Sequence, residues 1–290
     1  MLLHIPAVQG GIGAKIADLA SEKLGTEVRI GHVDLGFLNR VIIDDLLIYD
    51  QHHKKMLSAS RIGAKVDLIP LLQSGAINIS SAQLFGLKAD LYKTTKDSNP
   101  NYQFVLDSLA SKDQSNKKPL HLSINSLVIR NGSIRYNQYD APRTPHRLNL
   151  HHLDITNIST HIVLDKLDDN SVIANLRSFS CKESAGLDVQ QLTFEVNANQ
   201  RQVSLTAFNL QLPNSKVALE EIKARYELKD KILINNSLRF NIKGFNSTLQ
   251  PSDLSTFLPD LHLLRNPYRI VLSAQGTNRS VAIRQLTVSS

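Results

Sequence analysis

The stretch that decides the fold is Val28–Val66, VRIGHVDLGFLNRVIIDDLLIYDQHHKKMLSASRIGAKV. Val28 and Ile30 flank Arg29, and Val33, Leu35 and Phe37 alternate with Asp34 and Gly36. The pattern continues in Val41 and Ile43, Leu46 and Ile48, Leu57 and Ala59, and Ile62, Ala64 and Val66. A period of two puts these side chains on one face of a strand and their polar neighbours on the other. The change of phase at Gly31–His32 predicts a bulge or turn, and Asp50–Lys55 a polar hairpin tip.

Working outward, residues 7–24 have a helical period instead. Val8, Ile12, Ile16, Leu19 and Leu24 form one stripe, Pro6 precedes it, and Gly25 sits where a helix needs a left-handed stop. Leu68–Leu72 is expected as a short helical turn ended by Ser74–Gly75, and Tyr102–Leu109 as a short helix. Residues 111–118, SKDQSNKK, are a polar loop. Asn131–Gly132 predicts a tight turn before Ile134 and Tyr136. Strand-like sequence fills most of the chain beyond Tyr136, apart from a short helix beginning at Pro251 and cut by Pro259. The chain is therefore mostly β, with roughly 18 to 22 short strands. It divides into an N-terminal amphipathic helix (1–25), a first β module (26–110), the loop 111–118, and continuing β repeats (119–290). A sandwich, a closed barrel, or an open curled sheet exposing an apolar inner face all fit this pattern.

The 290 residues are 42% hydrophobic and 20% charged, with 6% aromatic and no Trp. Leu, Ile and Val suit strands better than an aromatic-lined small-molecule pocket. A net charge of +7 favours anionic partners, although a solvated surface is the simpler account of it. Cys181 is the only cysteine, so no internal disulfide forms. No stretch reaches the ~18 apolar residues of a membrane span. The opening Met1–Pro6 reads as the last apolar turn of something longer, and Val281–Val288 stops in strand-like sequence. Both ends are expected to be those of an excised segment.

Catalytic and cofactor signatures are missing. Gly11–Ile12–Gly13 lacks the third glycine of a dinucleotide loop, since Ile16 stands there, and no strand precedes it. The adjacent pairs His52–His53 and His151–His152 would point to opposite faces of a strand and chelate poorly. Asp44–Asp45 and Asp168–Asp169 lie beside turn-like sequence, where adjacent carboxylates are ordinarily solvated. No Gly-x-Ser-x-Gly elbow occurs. Arg135, Tyr136 and Tyr139 are the nearest approach to a stacking basic surface, too sparse for nucleic acid. No enzyme activity, cofactor, metal or nucleic-acid partner is expected.

The order of elements resembles the AsmA-like/TamB envelope proteins, particularly the Bacteroidetes-type TamB. The likeness runs through HIPAVQGGIGAKIADLASEKLGTEVRIGHV and the residues up to Ile62, VDLIPLLQSGAINISSAQLFGLKADLYK, NPNYQFVLDSL, LVIRNGSIRYN and DLSTFLPDL. It implies an elongated, curled antiparallel sheet forming an open apolar groove (a taco-like trough). The family's setting is the periplasm, with anchoring in the inner membrane through a helix missing before Met1. Implied partners are phospholipid or another acyl-chain lipid, conducted toward the outer membrane. The alternative role is a scaffold for outer-membrane protein translocation and assembly, with outer-membrane assembly proteins as partners. Alternation nominates Val28, Ile30, Val41, Ile43, Ala64, Val66, Ile77 and Ile79 as groove lining.

Overall fold

The computed structural model describes residues 6–36, 40–66, 77–110, 120–167, 171–229, 232–233 and 237–290. Helix α1 (Pro6–Leu24) is followed by β1 (Val28–Arg29), β2 (His32–Gly36), β3 (Arg40–Tyr49), β4 (Lys55–Val66), β5 (Ile77–Phe85) and β6 (Lys88–Lys93). Helix α2 (Gln103–Ala110) leads to β7 (Leu120–Gln138), β8 (His152–Leu167), β9 (Ser171–Glu183), β10 (Asp188–Val189), β11 (Gln191–Asn199) and β12 (Gln202–Gln211). Then come β13 (Lys216–Arg225), β14 (Leu228–Lys229), β15 (Ile232–Leu233) and β16 (Arg239–Leu249). Two 3-10 turns, Pro251–Leu254 and Pro259–Leu263, precede β17 (Tyr268–Thr277) and β18 (Val281–Ser289).

The protein is mostly β, as expected, and its main sheet is large. Strand order runs β1-β3-β4-β5-β7-β8-β9-β11-β12-β13-β16-β17-β18, with β2 and β6 alongside β3 and β4, and β10 beside β9. The sheet is mixed rather than wholly antiparallel. β7 runs parallel to β5, pairing Phe85 with Arg130, and parallel to β6, pairing Ala89 with Ile134. The chain between β6 and β7 must therefore cross back before pairing. The expected helical turn at Leu68–Leu72, the loop 111–118 and Asp168–Asp169 lie outside the described residues.

Two compact units divide the chain: Met1–Thr144 with Asn149–Ser159, and Pro145–Leu148 with Thr160–Ser290. In the first, α1 lies on β1 and β2. Its Ile16 packs on Val33, Val41 and Ala64, all buried. Gly13 permits the close approach, because a Cβ there would stand 3.3 Å from Val33 Cγ2. The helix ends at Gly25, whose φ of +65° is a left-handed stop. Leu19, expected on the packing stripe, is instead 54% exposed.

The hairpin tip after β3 is tied down by one carboxylate. Asp50 is fully buried. Its Oδ1 accepts the backbone N–H groups of His52 (2.8 Å) and Lys54 (2.9 Å), and its Oδ2 accepts the Tyr92 hydroxyl (2.8 Å). Asn101 Nδ2 stands 3.5 Å from Oδ2. Burial opposes the charge, but these donors outweigh it and hold the Asp50 carboxyl below its ordinary range. The Tyr92 phenol, buried and donating to that carboxylate, is pushed up to about 12. Its ring stacks on Tyr139 at 5.3 Å and lies under the Lys54 ammonium at 5.1 Å.

Candidate functional site

Each unit has a line of backbone irregularities crossing its own strands. In the first unit Asp45 has φ +55° and stands opposite Ser60, since Asp44 pairs with Arg61 and Leu46 with Ala59. Gly86, at φ +62°, comes so close to Ser60 that a Cβ would lie 2.5 Å from its hydroxyl. Gly86 N–H bonds the carbonyl of Arg130, beside Asn131 at φ +54°. Asn157 on β8 has the same conformation. β5 and β6 keep one register against β4 and are a single strand broken at Gly86. Asn131–Gly132, expected as a tight turn, sits inside the 19-residue strand β7. Asn tolerates the left-handed conformation that a bulge requires, so the signal marks a bend rather than a reversal.

The second unit repeats the device. Ala207 (φ +52°) on β12 faces Glu220 on β13, between the pairs Thr206–Glu221 and Phe208–Leu219. Glu220 faces Gly244 (φ +69°) on β16, where a Cβ would meet Glu220 Cβ at 2.6 Å. Register shifts at Thr193/Glu195, Ile242/Phe245 and Ser273/Ala274 continue the line to both sides. A bulge bends its strand and increases its twist, so aligned bulges crease a sheet across its strands.

On either side of this crease the second unit has an apolar face. Val196, Leu205, Ile222, Ile242, Ala274 and Ile283 form one row by successive cross-strand pairing. Phe208, Leu219, Phe245, Leu272 and Leu286 form another across the crease. Outer rows add Ala198, Val203, Ala224 and Phe240, and Leu210, Val217 and Ile270. The intervening residues, apart from Ala218 and Val271, are mostly polar and carry surface ion pairs such as Lys223–Glu221 and Lys243–Glu220. The alternation of a sheet with one apolar face therefore runs through most of these strands.

A filled core is not what these rows make. Leu219 and Ala274 are buried, but Val196, Leu205, Ile222, Ile242, Phe245 and Leu272 remain half-buried. Among the described elements of this unit, the substantial contacts of each main-sheet strand are with its sheet neighbours, and those of the 3-10 turns with each other. Ser247, also on the inner face between Val217 and Ile270, is buried with its hydroxyl unpartnered. This face could receive an elongated apolar ligand.

The residues expected to line a groove belong to the first unit, and they divide. Val41 and Ala64 are buried in the core under α1, with Ile30 and Ile43 packed against it. Val28 is buried on β1, opposite Ile48. Val66 pairs with Ile79, and Ile77 with Leu120, but their side chains lie outside the described residues. The uncovered rows of β11–β18 went unnominated, although they show the same alternation.

The other candidates have structural employment. His151 and His152 bond Gln138, Asn137 and the Ala141 carbonyl. Asp44 is held low by its hydrogen bond and charge pairing with Arg61. Burial pushes the Cys181 thiol up, away from the reactive thiolate. Gly11–Gly13 is helical. Among the described residues no cluster of three His, Cys, Asp or Glu is arranged to hold a metal, and no helix is long and apolar enough to cross a membrane.

Comparison with known proteins adds no relative: no family model, curated protein or solved structure matches this chain.

Proposed function

We propose that this chain is a non-enzymatic, lipid-binding segment of the periplasmic, AsmA-like/TamB kind, holding acyl chains along the apolar face of its creased sheet. In this reading the full-length protein is anchored in the inner membrane, and the segment conducts phospholipid toward the outer membrane. The observation that carries the proposal is the largely half-buried apolar rows of β11–β13, β16 and β17, with mostly polar residues on the opposite face. Burying a methylene contributes ~0.8 kcal/mol, so an acyl chain of about fourteen methylenes has at most roughly 11 kcal/mol to gain. A creased strip with parallel apolar rows offers that contact along its length, while the ion-paired outer face stays in water.

The test is lipid capture. The purified full chain should carry phospholipid detectable by mass spectrometry after organic extraction, and should take up a phospholipid with a fluorescent acyl chain. Ile242→Glu, on an inner row, should reduce uptake several-fold. Asn246→Glu, on the outer face, should leave it unchanged, with far-UV circular dichroism checking that both variants fold. Lipid-free protein that ignores the probe, or equal uptake by both variants, refutes the proposal.

A further inference from the structure

On the face of the second unit opposite the apolar rows, cross-strand pairing sets two arginines side by side. Gln202 pairs with Arg225, Arg225 with Arg239, and Arg239 with Thr277, so these four residues form one row across β12, β13, β16 and β17. The row lies one residue beyond Val203, Ala224 and Phe240 and faces the other way. Two more arginines stand on the turns at this end. Arg201 precedes Gln202, and its carbonyl accepts the Tyr226 N–H at 2.9 Å; Arg279 lies between β17 and β18, its N–H donating to Thr277 Oγ1 at 3.2 Å. All four arginines are exposed.

Like charges directly opposite on adjacent strands are destabilising. Nearer the crease the sheet avoids this: Glu221 stands opposite Lys243 and pairs with Lys223 at 2.7 Å, and Lys243 pairs with Glu220. The arginines have no such partner. Among the described residues none of Arg201, Arg225, Arg239 and Arg279 makes an ion pair, and Glu227 is the one described acid on the turns at this end. β13 and β16 are interior strands, paired on both sides, so the Arg225–Arg239 pair is fixed whatever lies beside β18. The row consists of two guanidinium forks, an amide and a hydroxyl, with no carboxylate, and guanidinium forks match phosphate oxygens two at a time. It lies on the open face of a sheet, which suits an array of phosphates rather than one enclosed ligand. Single-stranded nucleic acid would need rings to stack on, and Tyr226, the one aromatic residue on these turns, is half-buried with its hydroxyl donating to the Asn199 carbonyl at 2.6 Å. Beyond Arg225 the chain enters the β14–β15 pair, Leu228 opposite Leu233 and Lys229 opposite Ile232. Apolar residues with a lysine among them, next to an arginine row, are the composition of a segment that meets a lipid headgroup layer.

We infer that this end of the second unit docks on the anionic phosphate surface of a lipid bilayer, with Arg225 and Arg239 as the central contact and Arg201 and Arg279 beside them. The bilayer supplies the negative charge that the fold omits, and the opposed arginines become a clamp for its phosphates. Attachment is distinct from acyl capture: it uses headgroups and the arginine row, whereas capture uses the apolar rows on the other face.

The test is flotation of the purified full chain with vesicles of about three parts phosphatidylcholine to one part phosphatidylglycerol, against vesicles of phosphatidylcholine alone. The chain should float with the anionic vesicles, stay behind with the neutral ones, and be released as salt rises to about 0.5 M. Each arginine at such a surface strengthens binding about fivefold, so Arg225→Gln combined with Arg239→Gln should weaken it at least about tenfold. That variant should be no less stable than the parent chain, since it removes a like-charge pair. Lys182→Gln combined with Lys243→Gln removes the same net charge from lysines already paired with carboxylates, and should weaken binding less than about threefold. Ile242→Glu, the change expected to lower acyl uptake, should leave attachment unchanged. No binding to anionic vesicles, equal binding to both kinds, equal losses from the two double variants, a loss with Ile242→Glu as large as with the arginine pair, or tighter binding to a single-stranded oligonucleotide than to the anionic vesicles would each overturn the inference. Failed acyl uptake with attachment intact supports it and counts against the proposed function alone.

Discussion

Asp50→Ala should be among the most damaging single changes in the first unit, and Asp50→Asn a mild one. Asp50 accepts three short hydrogen bonds, from His52 N–H, Lys54 N–H and the Tyr92 hydroxyl. A hydrogen bond to a charged acceptor contributes about 1.5–3 kcal/mol, but His52 and Lys54 sit at an exposed tip where water replaces the lost partner. Tyr92 is 7% exposed and its hydroxyl has no such recourse. The expected loss for Asp50→Ala is therefore about 3–5 kcal/mol rather than the full sum. Asp50→Asn keeps an acceptor oxygen for the two backbone donors and should cost about 1–2 kcal/mol. Because the folded carboxyl titrates below its ordinary value, its contribution is complete above about pH 4 and disappears as pH falls through the folded value. Asp50→Asn should remove that acid limb. With no Trp in the chain, near-UV circular dichroism of the stacked Tyr92–Tyr139 pair in a urea titration follows this region. Equal losses for the two variants, or a loss under about 1 kcal/mol for Asp50→Ala, would refute the view that donor count rather than charge decides the site.

Other substitutions test the same physics. Gly244→Ala forces a side chain into a left-handed position already crowded by Glu220, and should cost about 1–3 kcal/mol in urea unfolding; Ala207→Gly on the same crease relieves strain and should be neutral or stabilising by up to ~1 kcal/mol. Ser247→Ala removes a buried hydroxyl that has no partner, and should raise the midpoint of thermal unfolding, with a gain of about 1 kcal/mol. The Tyr92 phenol is raised to about 12 in the fold, so the stability it lends is full below about pH 10 and is lost as pH climbs toward that value. Tyr92→Phe should flatten that alkaline limb of a stability–pH curve.

The β class, the N-terminal helix and its Gly25 stop were legible because each rests on a local rule: period two, period 3.6, and a residue free to take positive φ. The crease was half-legible. Val41 and Ile43 followed by Leu46 and Ile48, like Leu57 and Ala59 followed by Ile62 and Ala64, contain the slip of phase that a bulge produces. A slip looks like a strand end when only one chain segment is in view. Asn131–Gly132 was misleading for the same reason, because the left-handed conformation serves a hairpin turn and a bulge alike. The parallel β5–β7 joint left no local trace, since nothing in Ile77–Phe85 records which strand lies beside it. Leu19 carries the helical period but faces outward, because α1 rests on two short strands and only part of its stripe finds a surface. Val41 and Ala64 have the alternation of lining residues, yet Ile16 covers them, and a strand cannot announce what packs on top of it.

The parallel joint also has a kinetic consequence. The antiparallel contacts from β11 to β13 join near neighbours in sequence, so that part of the sheet can grow by successive hairpins, each closing a short loop. The joint between β5 and β7 cannot form this way: Phe85 must wait for Arg130, with β6 and α2 made in between. Loop closure before reward makes this the slow step in assembling the first unit. During synthesis β5 and β6 emerge with an unmatched side exposed until β7 arrives, the interval in which the chain is most open to mispairing with another copy of itself.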